Sequence, residues 1–279
     1  MTSCSTVVAP RLGLALAGAL ALAACHNDDV PSRVADAPGA TAAATNDAVR
    51  AAATASERGD RLASADDALV PRRTRAGTLR FTSPAIEGNA ALAPEILARF
   101  AREPSAELRA ALIDALPRTG GDWFDGAYGA FGREPEAAVR KAIVAIMPRA
   151  EATRALRGIM AGLADAEPSV RAEAALSAGS LPEAARADDG LRTRLGQLLA
   201  DADGAVRAGA ARTLGLMAHA PAFEPIARLL GDADAEVRLQ AVHALERIDR
   251  PRAAALPALG PLRSDPDPKV AHAARILAP

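Results

Sequence analysis

A dipeptide of an aliphatic residue followed by arginine recurs along the C-terminal part of the chain. The five arginines are separated by 31, 31, 36 and 31 residues, and an acid stands six positions before each one. The arginines are Arg109, Arg140, Arg171, Arg207 and Arg238, and the acids are Glu103, Glu134, Asp165, Asp201 and Asp232. A sixth copy has Asp265 in the acid position and Ala271 in place of arginine. A period of roughly 20–50 residues is typical of solenoids and related arrays.

Each copy predicts a helix, a turn and a second helix. The string between acid and arginine, as in DADGAVR or EPEAAVR, contains the residues that favour a turn and a helix N-terminus. Counted from the arginine, positions −1, +3 and +7 are nearly always apolar, as in Val206, Ala210 and Leu214. This spacing places the three residues on one face of a helix. A second apolar-periodic segment, such as LRTRLGQLLA, precedes each acid.

A single hairpin of this kind cannot bury both of its apolar faces, whereas stacked hairpins share a continuous core. We therefore predict an all-α fold, an α-solenoid of about six helical hairpins. The pattern D-x-D-x-x-V-R followed by A-A-x-x-L resembles the HEAT repeat, specifically the short bacterial class also found in phycobilin lyases. The resemblance covers residues 90–279, which we assign to the repeat domain. It implies a fold and says little about chemistry.

The repeated acids and arginines form two rows along such a stack. An arginine fork can bridge a neighbouring carboxylate and nearby backbone carbonyls, so we interpret the rows as a structural ladder. The resemblance to HEAT arrays implies the same role for these positions. Ala271 fits this interpretation, because a terminal unit has no following neighbour to bridge.

The first 25 residues resemble the export signal of bacterial lipoproteins. Arg11 precedes an apolar run over residues 12–24, which is too short to span a bilayer and ends in Leu22-Ala23-Ala24-Cys25. The resemblance implies that residues 1–24 are a signal peptide and that Cys25 is acylated, with palmitate as the expected group. The mature protein would then be attached to the membrane by its lipid. An ordinary signal peptide, cut near Ala24, is the alternative.

The other cysteine, Cys4, would leave with the signal peptide, so lipidation would account for the single remaining thiol. His26 follows Cys25, which resembles lipoproteins sent to the outer membrane. We therefore expect the protein in the bacterial cell envelope, at the outer membrane and facing the periplasm.

Residues 25–80 lack sustained apolar periodicity and are rich in Ala, Thr, Ser and Asp. Such a segment cannot bury enough apolar surface to fold alone, so we predict a disordered, lipid-anchored flexible linker. Its basic cluster of Arg72, Arg73 and Arg75 is more commonly a solvated surface than a contact to anionic headgroups. Residues 78–87 predict a short extended stretch, and we interpret residues 81–89 as a cap on the array.

No residue pattern points to catalysis. None of the four histidines is followed by glutamate, as in the repeated His-Glu pairs of HEAT-like iron hydroxylases, and the chain has no G-x-S-x-G elbow or phosphate-binding loop. We therefore expect no catalytic residue, no metal and no cofactor, and a protein that is not an enzyme. The alternative is an enzyme or enzyme-maturation factor of the HEAT-like lyase or hydroxylase type.

The formal net charge of −1 gives no reason to expect nucleic acid as a partner. In HEAT arrays the second helix of each unit lines the concave face, which implies exposed positions at +1, +2 and +5 from the arginine. The candidate partner-binding residues there are Lys141, Glu173, Arg212, Gln240 and His243. This weakly charged, small-residue surface suits a protein or peptide partner.

Five of the seven aromatic residues lie between residues 100 and 131. Phe124, Tyr128 and Phe131 follow the i, i+4, i+7 spacing of a helix that packs its apolar face. Trp and Tyr are also favoured binding anchors, so Trp123 and Tyr128 join the candidate partner-binding residues. We predict that Trp123 is exposed and that Trp123→Ala weakens partner capture while the helical fold remains.

These features together favour a non-catalytic envelope scaffold or adaptor that binds protein partners through its solenoid surface. A structural envelope lipoprotein without a specific partner is a further alternative.

Overall fold

The computed structural model describes residues 68–278, where helices follow a short β-hairpin. The predicted signal peptide, Cys25 and the predicted linker up to residue 67 lie outside the described residues. Within residues 68–278, two strands come first and thirteen α-helices follow, with short 3-10 turns between some of them. The predicted all-α solenoid is confirmed, because the helices form six hairpins in chain order.

The first three hairpins are regular. They pair α1 (Leu92–Phe100) with α2 (Ala106–Ala115), α3 (Phe124–Phe131) with α4 (Ala137–Ile146), and α5 (Ala152–Leu163) with α6 (Pro168–Ala178). Single-turn 3-10 helices, Leu116–Thr119 and Met147–Arg149, extend α2 and α4.

The last three hairpins contain the departures from regularity. The short α7 (Glu183–Arg186) accounts for the longer spacing of 36 residues between Arg171 and Arg207. It is followed by the fourth hairpin, α8 (Asp189–Leu198) and α9 (Gly204–Leu216). The fifth hairpin joins α10 (Phe223–Arg228) to the first part of α11 (Ala235–Ala254). The sixth consists of the rest of α11, α12 (Leu259–Leu262) and α13 (Pro268–Leu277).

Asp249 divides α11 into two helices. Its φ of −160° and ψ of 90° are not helical. Its Oδ1 accepts a hydrogen bond of 3.0 Å from the backbone N–H of Arg252, as an N-cap residue does. Pro251 lies in the first turn after this cap, where a missing N–H costs nothing. The break lets one hairpin end and the next begin without a loop.

Short polar side chains start the second helices. Asp203 Oδ1 accepts from the backbone N–H of Val206 at 3.1 Å, and Ser105 Oγ accepts from that of Leu108 at 3.3 Å. These bonds satisfy amides that have no partner inside the helix. Four of the six second helices begin at such a cap, at Ser105, Asp203, Asp234 and Asp267. Glu136 and Glu167, which precede α4 and α6, make no side-chain cap bond.

The apolar face predicted for the second helices is confirmed. Val206, Ala210 and Leu214 are all fully buried, and the equivalent residues of the other repeats are buried apart from the half-buried Leu108 and Ala278. Small residues let the second helices of neighbouring repeats approach closely. A Cβ atom on Gly215 would lie 2.6 Å from the Cα atom of Ala244, so α9 and α11 touch through their backbones there.

The N-terminal hairpin changes one predicted boundary. Strand β1 (Pro71–Arg73) pairs antiparallel with β2 (Leu79–Phe81). Leu69 and Phe81 are buried, and Arg99 Nη1 donates to the carbonyl of Leu69 at 2.9 Å. The linker boundary predicted at residue 80 is therefore too late, because these two apolar side chains join the core. Two such short strands give too little periodicity to detect in the sequence.

Residues 81–89, the predicted cap segment, contain the end of β2 and a 3-10 turn at Pro84–Ile86. Phe81 and Ile86 are buried. Strand β2 lies against α2, the second helix of the first repeat. No helix within residues 68–278 combines the length and the apolar character needed to cross a membrane.

Candidate partner-binding surface

Each ladder arginine bonds to the turn of its own repeat and to the acid of the next repeat. Arg207 donates from Nε and Nη2 to the two carboxylate oxygens of Asp232, at 2.8 Å each. Its Nη1 donates to the backbone carbonyls of Asp201 and Ala202, at 2.8 and 3.0 Å. The same pattern links Arg109 to Glu134, Arg140 to Asp165, Arg171 to Asp201 and Arg238 to Asp265. An arginine of one repeat is thus fixed to its own turn and to the acid of the next repeat.

The acids are more buried than the arginines and have a second role. Asp232 Oδ1 also accepts from the backbone N–H of Asp234 at 2.9 Å, which closes the turn before α11. The Arg207 side chain is 17% exposed and that of Asp232 is 9% exposed. The hydrogen bond from Arg207 holds the pKa of the Asp232 carboxyl below its ordinary value, although burial opposes this. The same bond raises the pKa of Arg207.

The two ends of the ladder differ from its middle. Glu103, the first acid, accepts from the backbone N–H of Ser105 at 3.0 Å, and Ala271 at the other end is buried. Between them, each arginine has the donors of its fork directed at groups of this chain. The ladder therefore joins repeats, and its residues are already occupied.

The aromatic segment forms an interface between the second and third repeats. Phe124 and Tyr128 stack with ring centroids 5.7 Å apart. The guanidinium of Arg157, on α5, lies 5.1 Å from the Phe124 ring centroid and 4.6 Å from that of Tyr128. Its Nη2 also lies 2.7 Å from a carboxylate oxygen of Asp125. Tyr128 is half-buried, and its ring is covered by the next repeat.

The prediction that Trp123 is exposed is wrong. Trp123 is 6% exposed, and its ring packs at 6.1 Å and 55° against that of Phe124. Trp123 is the residue immediately before α3, and its backbone there directs the side chain into the core. It therefore stabilises the second repeat and is not available to a partner.

The predicted exposure of positions +1 and +2 is also wrong in several repeats. Ala172 and Ala208, at +1, and Ala111, at +2, are buried. Alanine-rich second helices pack so closely that their neighbours cover these positions. Position +5 is more open: Leu176 is 42% exposed and Ile276 is 51% exposed.

The candidate binding residues on the second helices lie in three separate places. The Lys141 ammonium lies 3.7 Å from a carboxylate oxygen of Glu173, so the structure brings these two together. Arg212, in the fourth repeat, is exposed. In the fifth repeat, Gln240 donates to Glu236 at 2.8 Å, and His243 Nδ1 lies 4.0 Å from Glu246.

Lys141 and Glu173 line a cleft of about 650 Å³, which we call the N-terminal cleft. Strand β2 borders it on one side, α2 and α4 form its base, and Glu173 of α6 lies on the other side. Small side chains make up much of the floor: Ala110, Ala111, Ala138, Ala142 and Ala145. Six charged residues surround this floor: Arg80, Glu107, Asp114, Lys141, Arg149 and Glu173.

Four of those charged residues were missed in the sequence. Arg80 belongs to the hairpin, which sequence reasoning assigned to the linker. Arg149 stands nine positions after Arg140, one helical turn beyond the offsets that we considered. A signal was present, because Arg118 and Arg247 occupy the same +9 offset in other repeats. Asp114 is at the +5 offset, and Glu107 lies just before the arginine.

Within residues 68–278, no three His, Cys, Asp or Glu side chains lie close enough together to hold a metal ion. The charged and small apolar residues that line the cleft offer ion pairing, hydrogen bonding and contact with apolar groups.

Residues 191–278 match the HEAT repeats family. No curated protein matches the chain. Among solved structures, a designed armadillo repeat protein in complex with the peptide (KR)4 is 22% identical, over 66% of this chain and 97% of that one, with a TM-score of 0.47. An engineered protein is 18% identical, over 66% of this chain and 93% of that one, with a TM-score of 0.48. Residues 191–278 are thus similar to HEAT repeats, and the same ladder geometry continues through the earlier hairpins of the α-solenoid.

Proposed function

We propose that this protein is a non-catalytic scaffold or adaptor that binds a protein or peptide partner, with the N-terminal cleft as the main contact. The observation that carries the proposal is the construction of that cleft. Its alanine floor leaves room for another backbone, and its charged border supplies donors and acceptors. Concave sites with an apolar base and a few placed polar groups are typical of binding sites.

The charges of the cleft favour a polypeptide over nucleic acid. Its border carries three cations and three carboxylates, so it offers no continuous positive surface for a phosphate backbone. A polypeptide carries both signs of charge and backbone hydrogen-bonding groups, which such a border can match. Stacked repeats also hold their surface residues at fixed spacing, which suits a scaffold.

We also propose that a lipid on Cys25 attaches the protein to the bacterial cell envelope, at the outer membrane and facing the periplasm. The support is the lipoprotein-like signal in residues 1–25. Substitution Cys25→Ser should move the protein from the membrane fraction to the soluble fraction. Mass spectrometry of the N-terminal peptide should detect the acyl groups, and an unmodified Cys25 would contradict this part of the proposal.

Affinity capture from membranes tests the scaffold proposal. The bait is the full-length, tagged chain, compared with Ala145→Arg, which places a long side chain on the exposed floor of the cleft. The matched control is Ala98→Arg, at an exposed position of α1 outside the cleft. We expect one stoichiometric partner that is lost with Ala145→Arg and retained with Ala98→Arg. A partner retained by both variants would place binding elsewhere, and bound metal or pigment would favour an enzymatic or maturation role.

A further inference from the structure

One end of the N-terminal cleft continues into a recess that is rich in arginine. The recess has a volume of about 580 Å³ and shares Arg80, Asp114 and Arg149 with the cleft. Arg118 also lines it. These arginines come from three places in the chain: the hairpin, the turn after α2 and the turn after α4. Among the described residues that line the recess, Asp114 supplies the one carboxylate.

The hairpin places two of its arginines side by side. In the antiparallel register, Arg72 lies directly opposite Arg80, so both side chains project from the same face. Both are exposed. Like charges directly opposite each other destabilise a strand pair. A bound anion at this face would remove that repulsion.

The guanidinium of Arg80 makes only a weak contact within the chain. Its contact with Asp114 is a distance of 3.8 Å from Nε, and the two side chains are 59% and 38% exposed. Charge-assisted hydrogen bonds are about 1 Å shorter than this. A carboxylate from another molecule can therefore compete for the guanidinium of Arg80.

Arg118 has a different role, because it fixes the recess in place. Its Nε donates to Glu87 at 2.7 Å, and its Nη1 donates to the backbone carbonyl of Phe81. These bonds join the turn after α2 to the hairpin. Arg149 ends the 3-10 turn Met147–Arg149 and is exposed. Arg80 and Arg149 are thus the members of the group that a ligand can reach.

We propose that the N-terminal cleft takes an extended segment of a partner protein whose acidic end lies in the recess, with a carboxylate bound between Arg80 and Arg149. This inference rests on the proposed scaffold function and names the chemistry of the partner. The backbone of the segment lies over the alanine floor, and the guanidinium forks bind the carboxylate at its end in pairs of hydrogen bonds. A recessed floor between helices fits a chain better than it fits the flat surface of a bilayer.

The size of the cleft sets the length of the segment. Packed helices lie about 8–10 Å apart, so the two intervals from α2 to α6 span about 16–20 Å. An extended chain advances about 3.3 Å per residue, so about six residues span the cleft and a peptide of about ten residues extends past its ends.

Fluorescence anisotropy with the full-length chain tests the inference. The probes are three fluorescein-labelled peptides of about ten residues, built from alanine and serine, with two glutamates, two serines or two lysines at one end. We expect the glutamate probe to bind at least about tenfold more tightly than the other two. Its affinity should fall as salt is raised, because these side chains are exposed.

Two substitutions locate the binding. Arg149→Glu should weaken the glutamate probe about tenfold, and Arg80→Gln should weaken it severalfold. The matched control is Arg247→Glu, because Arg247 is exposed and stands at the same +9 offset in the fifth repeat. That variant should bind the probe as the unchanged protein does. Identical circular dichroism spectra verify that all three variants are folded.

Three results would overturn the inference. One is equal binding of the serine or lysine probe. Another is glutamate-probe binding that Arg149→Glu does not change. The third is displacement of the glutamate probe by phosphatidylglycerol vesicles, if the binding of these vesicles to the protein also depends on Arg149. That result would make the recess a site for lipid headgroups. None of these affects the scaffold proposal, which fails separately if affinity capture yields no stoichiometric partner.

Discussion

Arg207 of the fourth repeat and Asp232 of the fifth are joined by two parallel hydrogen bonds of 2.8 Å, one from Nε and one from Nη2. The pair is bidentate, so it fixes the orientation of one repeat relative to the next as well as their distance. Five such pairs run along the stack. Each interface between repeats therefore contains one partly buried ion pair in addition to its apolar contacts.

Removal of one partner should weaken a single interface strongly. We expect Arg207→Met to lower the free energy of unfolding by about 3 kcal/mol, because Asp232 remains buried without its cation. Urea unfolding followed by circular dichroism measures this loss. Arg212→Ala, on the exposed side of the same helix, is the control and should change stability by less than about 0.5 kcal/mol.

The double variant Arg207→Met with Asp232→Leu distinguishes the contribution of the ion pair from the cost of leaving one buried charge unpaired. It should recover much of the lost stability, because no unpaired charge is left in the interface. If Arg207→Met alone changed stability no more than Arg212→Ala did, the pair would not hold the repeats together.

The ladder also predicts how stability depends on pH. The pKa of the Asp201, Asp232 and Asp265 carboxyls is lowered in the folded chain, chiefly by hydrogen bonds from their arginines. An unfolded aspartate titrates near about pH 3.9, so the unfolded chain takes up protons first as pH falls. The stabilisation is therefore complete above that pH and is lost as pH falls through the lower folded values. We expect a small decline from about pH 7 to 5, because burial lowers the pKa of His219 in the folded chain, and a steep loss below about pH 4.

Chemical denaturation at a series of pH values tests this dependence. The double variant Arg207→Met with Asp232→Leu should lose less stability in acid, because it lacks the Asp232 carboxyl with its lowered pKa. An equal loss in the variant and in the unchanged protein would assign acid sensitivity to other carboxylates.

Two glycines should respond to alanine in opposite directions. A Cβ atom on Gly215 would lie 2.6 Å from the backbone of Ala244, so Gly215→Ala forces α9 and α11 apart. We expect it to cost about 1–3 kcal/mol. Gly196, in α8, has open space at the same atom, so Gly196→Ala should stabilise by about 0.5–1 kcal/mol. Thermal unfolding of both variants measures the difference, and a stabilising Gly215→Ala would show that the two helices are not in backbone contact.

Trp123→Ala should damage the fold. Its ring is buried against Phe124, so we expect a loss of about 3–5 kcal/mol and a lower unfolding temperature. Trp123→Phe retains a ring and should lose much less. Quenching of tryptophan fluorescence by iodide gives an independent check, because this is the only tryptophan in the chain. Strong quenching by iodide would show that the Trp123 ring is exposed.

The local parts of the fold could be predicted because they depend on residues close together in the chain. The turn strings and the −1, +3 and +7 positions fix where each second helix starts and which face it buries. The acid and arginine rows follow from the same period, since residues repeated in every unit must align in a stack. Even the interruption at Asp249 uses ordinary cap chemistry.

Tertiary packing decided everything that depends on two distant segments. Periodicity cannot show that Phe81 and Leu69 join the core, because two strands of three residues gain stability only from the helix beneath them. Trp123 is adjacent to a buried stripe in sequence, and only the packing of α3 determines that its ring is covered. The N-terminal cleft is of the same kind. Arg80 and Arg149 are 69 positions apart in the sequence, and they line one recess because the hairpin lies against α2. The sequence by itself determined the repeat and its ladder, because both follow from local spacing, while the tertiary structure decided which charged groups meet at the surface.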